Sequence, residues 1–216
     1  MIRFIGKPLE IAEEKEITLI INGRCYYLAC TPKMLKELAI GFLVSEGLVR
    51  KIEDLSVEIF DDTVIVKSMR SKENFEATEV KIKIDEKIEC RVKFKLEDLR
   101  RSLSLLEIEE YRRTRGYHVA AVVGKNQFFR AYDVGRHNAV DKAIGLAKLN
   151  KANLDEYFLL LSGRISVGIA RKCLNAGIPL IVSKAAIFDS AIDFCKKTGL
   201  SAVSFATNMA IGNAIE

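Results

Sequence analysis

From Tyr117 to the end of the chain, short apolar runs alternate with segments of helical period, and this alternation limits the fold more than any other feature. Strands are expected at 118–123 and 127–132, flanking the turn Gly124-Lys125-Asn126. Helix about 137–149, strand 157–161, helix 165–175, strand 178–182, helix 187–197 and strand 201–205 follow. Such a pattern predicts a parallel or mixed sheet covered by helices. Right-handed crossovers then place the carboxyl ends of successive strands on one edge. Three junctions meet there: Asp133-Val134-Gly135-Arg136-His137-Asn138, Ser162-Gly163-Arg164-Ile165-Ser166 and Ser183-Lys184-Ala185-Ala186. Each joins small residues to a cation at a helix start. Open α/β sheets bind ligands outside such ends, at a switch in strand order.

The first junction is the richest. Tyr132 to Lys142 holds a guanidinium, an imidazole, an amide, carboxylates and an ammonium, with Gly135 at the turn into a helix. Unpaired N–H groups at a helix start suit phosphate or another anion. The helical period turns Val140, Ala143, Ile144 and Ala147 inward, which leaves His137, Asn138, Asp141 and Lys148 facing away. His118, opening its strand after Gly116-Tyr117, can reach the same edge or serve as a core histidine.

The first half reads as α+β. Glu16–Ile21 alternates, ends at Asn22-Gly23 and returns as 25–29, a hairpin. Thr31-Pro32 reads as an N-cap followed by Pro at the first helical position. Leu35, Leu38, Ala39, Phe42 and Leu43 then mark a helix through about Ser45. Residues 56–60 and 63–67, joined at Asp61-Asp62, predict a second hairpin. A polar loop over 68–78 and strands at 79–84 and 88–94 come next, before a helix carrying Leu96, Leu99, Leu103 and Leu106. The charged run 107–115 is the expected boundary, dividing the chain into domains 1–110 and 111–216.

Size and composition agree with one or two domains. The chain has 216 residues, 49% hydrophobic and 29% charged, with only 3 Pro. No signal peptide is visible, and the apolar run Leu38–Val44 is too short to span a bilayer, so a soluble cytoplasmic protein is expected. Residues 117–216 carry 12 Lys and Arg against 7 Asp and Glu, so the whole net charge of +5 lies there. That favours an anionic partner without specifying nucleic acid.

The 5 cysteines are scattered with no Cys-x-x-Cys, which argues against a disulfide framework and against a structural zinc site. Cys25, Cys30, Cys173 and Cys195 read as small hydrophobes. Cys90 has Lys87, Arg91, Lys93 and Lys95 around it, cations that favour thiolate, although Glu89 opposes them. A serine hydrolase elbow, a zinc deaminase signature, a P-loop, an EF-hand and an RNP-type aromatic motif are all missing. Ser162 and Ser166 are left as capping or ligand-binding hydroxyls.

Several phrases together resemble one family. Asn22-Gly23, Cys30-Thr31-Pro32, Glu37 to Gly47, Gly116-Tyr117-His118-Val119-Ala120-Ala121, Tyr132 to Lys142, Ser162 to Ser166 and Gly177-Ile178-Pro179 are similar to the FdhD family of formate dehydrogenase accessory sulfurtransferases. The resemblance runs from about residue 8 to residue 205. It implies a small N-terminal domain, a larger cytidine-deaminase-like three-layer α/β/α domain without that enzyme's zinc, and a homodimer. It also implies transfer of persulfide sulfur from a cysteine desulfurase to the molybdenum (or tungsten) bis-molybdopterin guanine dinucleotide used by formate dehydrogenase. On this resemblance Cys90 is the sulfur-carrying residue. His118, Gly135, Arg136, His137, Asn138, Asp141, Lys142, Ser162, Gly163, Arg164, Ser183, Lys184, Phe205 and Asn208 are expected at the cofactor, with no resident metal. Two departures stand out. Where the family has a Cys-x-x-Cys pair, this chain has Cys90 and Lys93. The segment Phe205-Ala206-Thr207-Asn208-Met209-Ala210 keeps a Phe but lacks the family's two Arg. A relative that binds the cofactor or a guanine nucleotide without transferring sulfur is the alternative.

Overall fold

The computed structural model describes residues 3, 5–68 and 92–216. The expected strand at 79–84, residues 88–91 of the one expected at 88–94, and Cys90 itself lie outside the described residues. The first sheet contains β1 (Lys15–Ile21), β2 (Arg24–Cys30), β3 (Leu55–Phe60) and β4 (Thr63–Ser68), in the order β2-β1-β4-β3. Both expected hairpins form. Asn22 and Gly23 take φ of 50° and 74°, the positive pair that a tight hairpin turn requires. The central strands β1 and β4 are parallel. Their alternate residues Ile17, Leu19, Ile21, Val64 and Val66 are buried with Leu38 and Leu43 of α1 (Leu35–Ser45).

The second sheet contains β5 (His118–Val123), β6 (Phe128–Asp133), β7 (Phe158–Leu161), β8 (Leu180–Ser183), β9 (Ser201–Ser204) and β10 (Met209–Ile211). Its order is β10-β9-β8-β7-β5-β6. Strand β5 is antiparallel to both β6 and β7, while β7, β8 and β9 are mutually parallel. Strands β6 to β9 therefore run the same way, and the expected common edge exists. The two faces are covered separately. Ala120, Val122, Leu159, Leu161 and Ile181 pack under α4 (Arg136–Leu149), α5 (Val167–Ala176) and α6 (Asp189–Thr198). Val119, Ala121, Leu160, Val182 and Val203 pack under Leu99, Leu106 and Ile108. Burial on both sides explains why β7 and β8 read as unbroken apolar runs.

Four expectations need correction. Residues 94–114 belong to the second sheet, not to the first unit. Helix α2 (Leu96–Ser102), the 3-10 turn Leu103–Leu106 and α3 (Glu109–Thr114) build its second covering layer, and Phe94 bridges to Ile215. Thr31 does not cap α1, which begins at Leu35 after Met34 in a left-handed conformation (φ 55°). Strand β10 was not anticipated, because three residues are too few for a periodic signal.

The fourth concerns α4. Asn138 and Asp141, expected to face away from the core, are buried, as is Lys142 beside them. The outer side of α4 is an interface with α1, made possible by two glycines. A Cβ built on Gly41 would stand 1.7 Å from the Asp141 carbonyl oxygen, and one on Gly145 would stand 1.9 Å from that of Glu37. Only bare backbones can approach this closely, so α1 is held between its own sheet and α4.

Candidate functional site

The loop from Asp133 into α4 divides its side chains between two tasks. Asp133 is fully buried. Its Oδ2 accepts from Lys142 Nζ at 2.5 Å and from the Thr31 amide at 3.1 Å. Its Oδ1 accepts from the Gly135 amide at 2.8 Å and from Asn138 Nδ2 at 3.2 Å. Lys142 also donates to the Thr31 carbonyl, and Asn138 to the Ala29 carbonyl, each at 2.8 Å. The Thr31 hydroxyl accepts from the Val134 amide. Thr31 thus serves the second unit instead of its own helix, which is why α1 starts three residues later.

One turn further along α4, Asp141 accepts from Lys172 Nζ at 2.9 and 3.0 Å and from the Ser45 hydroxyl at 2.5 Å. Lys172 also reaches Glu46 at 2.5 Å. Burial pushes the Lys172 ammonium down, but the charges of Asp141 and Glu46 outweigh it and its pKa is raised. Asn138, Asp141 and Lys142, expected at the cofactor, therefore have their polar atoms engaged across the junction of the two units.

Arg136 and His137 are different. They lie half-buried at the carboxyl edge of the sheet. The buried Nε of Arg136 has no partner, and no carboxylate among the described residues pairs with its guanidinium. The β7–α5 loop passes beside it. A Cβ on Gly163 would lie 3.4 Å from Arg136 Cβ and Cδ and 3.5 Å from His118 Nδ1. One on Gly168 would lie 3.2 Å from His137 Nε2. The approach at Gly168 is tighter than an ordinary Cβ contact, whereas at Gly163 a Cβ would stand in normal van der Waals contact with Arg136 and His118.

The loops are braced by their own small residues. Ser183 donates to the Gly163 carbonyl at 2.7 Å and accepts from the Ala185 amide at 2.9 Å. It is fully buried and acts as a brace. The Ser162 hydroxyl accepts from the Val119 amide at 2.9 Å and retains its own proton to donate. Ile165 bridges to Ile187, zipping the β7–α5 and β8–α6 loops together. Above this brace Arg164, 5.4 Å over the Phe188 ring, and Lys184 are exposed cations.

His118 opens β5 opposite Asp133, so both histidines of the chain reach the edge. Burial lowers the His118 pKa, and Arg136 and Arg164 lower it further, against a smaller opposing effect of Asp133. Burial, then Arg136 and Lys172, lower His137, with Glu46 opposing. Both imidazoles are therefore neutral near pH 7 and can accept a proton when an anion arrives.

Beside His118 opens a cleft of about 250 Å³ that the sequence did not suggest. Tyr111, Arg115, Tyr117, His118, Ser162 and Lys184 line it. Tyr111 and Arg115 fall within the charged run 107–115 that the sequence marks as a boundary. Their one legible signal was aromatic: two tyrosines within that run and its exit. Phe205 and Asn208 stand at the β9 end of the same edge, in a separate hollow of about 170 Å³ with Arg100. The Arg100 guanidinium lies 4.8 Å over the Phe205 ring, so α2 supplies a cation to a segment that has none of its own. Among the described residues no group of His, Cys, Asp and Glu could hold a metal ion, and no helix is long and apolar enough to cross a membrane.

The model of the FdhD/NarQ family matches residues 12–85 and 66–212. The chain belongs to the FdhD/NarQ family. Protein FdhD of Methanocaldococcus jannaschii is 31% identical over 202 residues, covering 92% of this chain and 85% of that one. The sulfur carrier protein FdhD of Shouchella clausii is 31% identical over 236 residues, covering 94% and 88%. A crystal structure from Desulfotalea psychrophila, described as a formate dehydrogenase accessory protein, superposes with a TM-score of 0.76. It covers 90% of this chain and 84% of its own at 21% identity, which establishes the common fold. In this FdhD/NarQ chain the stretch from Asp133 to Lys142 is both a joint between units and a wall of the edge.

Proposed function

We propose that this chain is a sulfur carrier that binds the molybdenum or tungsten bis-molybdopterin guanine dinucleotide at the carboxyl edge of the six-stranded sheet. In this reading, Cys90 accepts persulfide sulfur from a cysteine desulfurase and passes it to the bound cofactor for formate dehydrogenase. The observation that carries the reading is the edge itself: Arg136 has an orphaned buried Nε, and Arg164 and Lys184 stand near the neutral His118 imidazole. Cations with no carboxylate partner among the described residues suit a phosphate-bearing ligand, because charge-assisted hydrogen bonds then replace no ion pair made by those residues. A single thiolate is sufficient to hold one transferable sulfur, since each exchange involves one attacking sulfur at a time.

The second reading is a cofactor- or guanine-nucleotide-binding chaperone that transfers no sulfur. Lys93, standing where the family has its second cysteine, donates to the Asn213 carbonyl and so has a structural occupation. The two readings separate in one experiment. The protein is incubated with a cysteine desulfurase and cysteine, and intact mass is measured with and without reductant. A reducible gain of one sulfur atom, absent in Cys90→Ser, supports transfer. No gain, together with guanine-nucleotide binding that is lost in Arg136→Ala, supports the chaperone.

A further inference from the structure

We propose that Glu46 is a positioning residue of the ligand edge: with Asp141 it fixes the Lys172 ammonium at the end of α1, so that His137, one turn away, can act as a cation toward a bound anion. This rests on the reading of the edge as an anion site.

Helical spacing builds the ladder that joins these residues. His137 and Asp141 are four positions apart on α4, and Gly168 and Lys172 are four apart on α5, so each pair shares one face of its helix. The two faces meet rung by rung. In the first rung Gly168 stands against His137, where an added Cβ would lie 3.2 Å from Nε2. In the second, Lys172 Nζ bonds Asp141 at 2.9 and 3.0 Å.

The other printed contacts of the ammonium come from the first unit. Lys172 donates to the Ser45 hydroxyl at 3.0 Å and to the Glu46 carboxylate, and it lies 5.5 Å over the Phe42 ring. Asn175, further along α5, donates to the Ser45 carbonyl at 2.7 Å. Helix α1 has no basic residue in its own last turn, so α5 supplies the cation that a carbonyl end favours. The Lys172 side chain is only 7% exposed, so water screens its charge poorly.

Three charged groups face His137: Arg136 beside it on α4, Lys172 on α5 and Glu46 at the end of α1. The two cations oppose an imidazolium, and Glu46 is the one acid that favours it. Without that carboxylate an arriving anion meets a ring that takes up a proton less readily. The charged neighbours that act on His118 are Arg136, Arg164 and Asp133, so it serves as an internal control.

Imidazole NMR titration of the full chain, labelled at the ring nitrogens, tests the assignment in wild type, Glu46→Gln and Glu46→Asp. In Glu46→Gln the His137 midpoint is expected to fall while that of His118 stays in place. Glu46→Asp keeps the charge and is expected to bring His137 back toward wild type. Calorimetry with inorganic pyrophosphate should show Glu46→Gln binding about fivefold more weakly at about pH 6 and within about twofold of wild type at about pH 8. An unmoved His137 midpoint in Glu46→Gln overturns the proposal. Equal displacement of both histidines, or an equal loss of affinity at the two pH values, reveals a merely structural role and overturns it as well. Failure of the wild type to bind pyrophosphate overturns the edge reading, and with it the service of His137 to an anion, whatever the titration of the free protein gives.

Discussion

Within ten residues, Asp133 and Lys142 on one side and Arg136 and His137 on the other show opposite uses of charge. The first pair is fully buried at 2.5 Å, and its further hydrogen bonds go to Thr31, Gly135 and Asn138. The second pair sits at the sheet edge with a guanidinium that no described carboxylate meets. A buried charge is tolerated when paired and hydrogen-bonded, whereas an unpaired cation at an edge is kept for something that arrives. Charge in a motif is therefore no guide to binding until its partners are known.

The largest effect should come from breaking the buried pair. Asp133→Ala leaves the Lys142 ammonium without a counter-charge and is expected to cost about 3–5 kcal/mol of unfolding free energy in urea titrations. Gly145→Ala comes next, at about 1–3 kcal/mol by the same measurement. Its Cβ would meet the Glu37 backbone, and the gain in helix propensity, about 1 kcal/mol, does not offset a forced separation of α1 from α4. A Gly145→Ala protein as stable as wild type would show that the two helices are not in close register.

Arg136→Ala should invert this pattern. Stability changes by no more than about 0.5 kcal/mol, because the buried Nε has no partner to lose and no described carboxylate pairs with the guanidinium. Pyrophosphate or GDP affinity falls by about tenfold or more, the equivalent of one charge-assisted bond. Equal effects of Arg136→Ala and Asp133→Ala on stability would erase the distinction between the two halves.

Much of this architecture was legible because it depends on local period. The alternation after Tyr117 foretold the helices, the strands and their common edge, and the hairpins of the first sheet were marked by Asn22-Gly23 and Asp61-Asp62. What escaped was non-local. A polar side on α4 reads as wet, and nothing near Asp141 in sequence announces Lys172, 31 positions on, or Ser45, 96 positions back. Gly41 and Gly145 within two amphipathic segments were the available sign that backbones meet there. The cleft was hidden for a similar reason, since Tyr111 and Arg115 gain their meaning only when α3 lies beside β5.

The smallest predicted effect is a pH dependence. Both imidazoles have folded pKa values below the ordinary 6.5, so the unfolded chain binds more protons as pH falls through 6.5. Stability contributed by the neutral histidines is present above pH 6.5 and declines as the pH drops toward their folded values. Anion binding works the other way, since a bound phosphate favours the imidazolium. Proton uptake on GDP binding should appear as a buffer-dependent calorimetric enthalpy and disappear in His118→Gln/His137→Gln.

Because the chain has only 2 histidines and both lie at this edge, imidazole NMR reads the site without interference. Titrating GDP into uniformly labelled protein while following the ring nitrogens is the most direct test of the edge as the ligand site. The account predicts that both imidazoles shift with saturation and that their pKa values rise in the complex. Saturable GDP binding with both imidazole signals unmoved would contradict it.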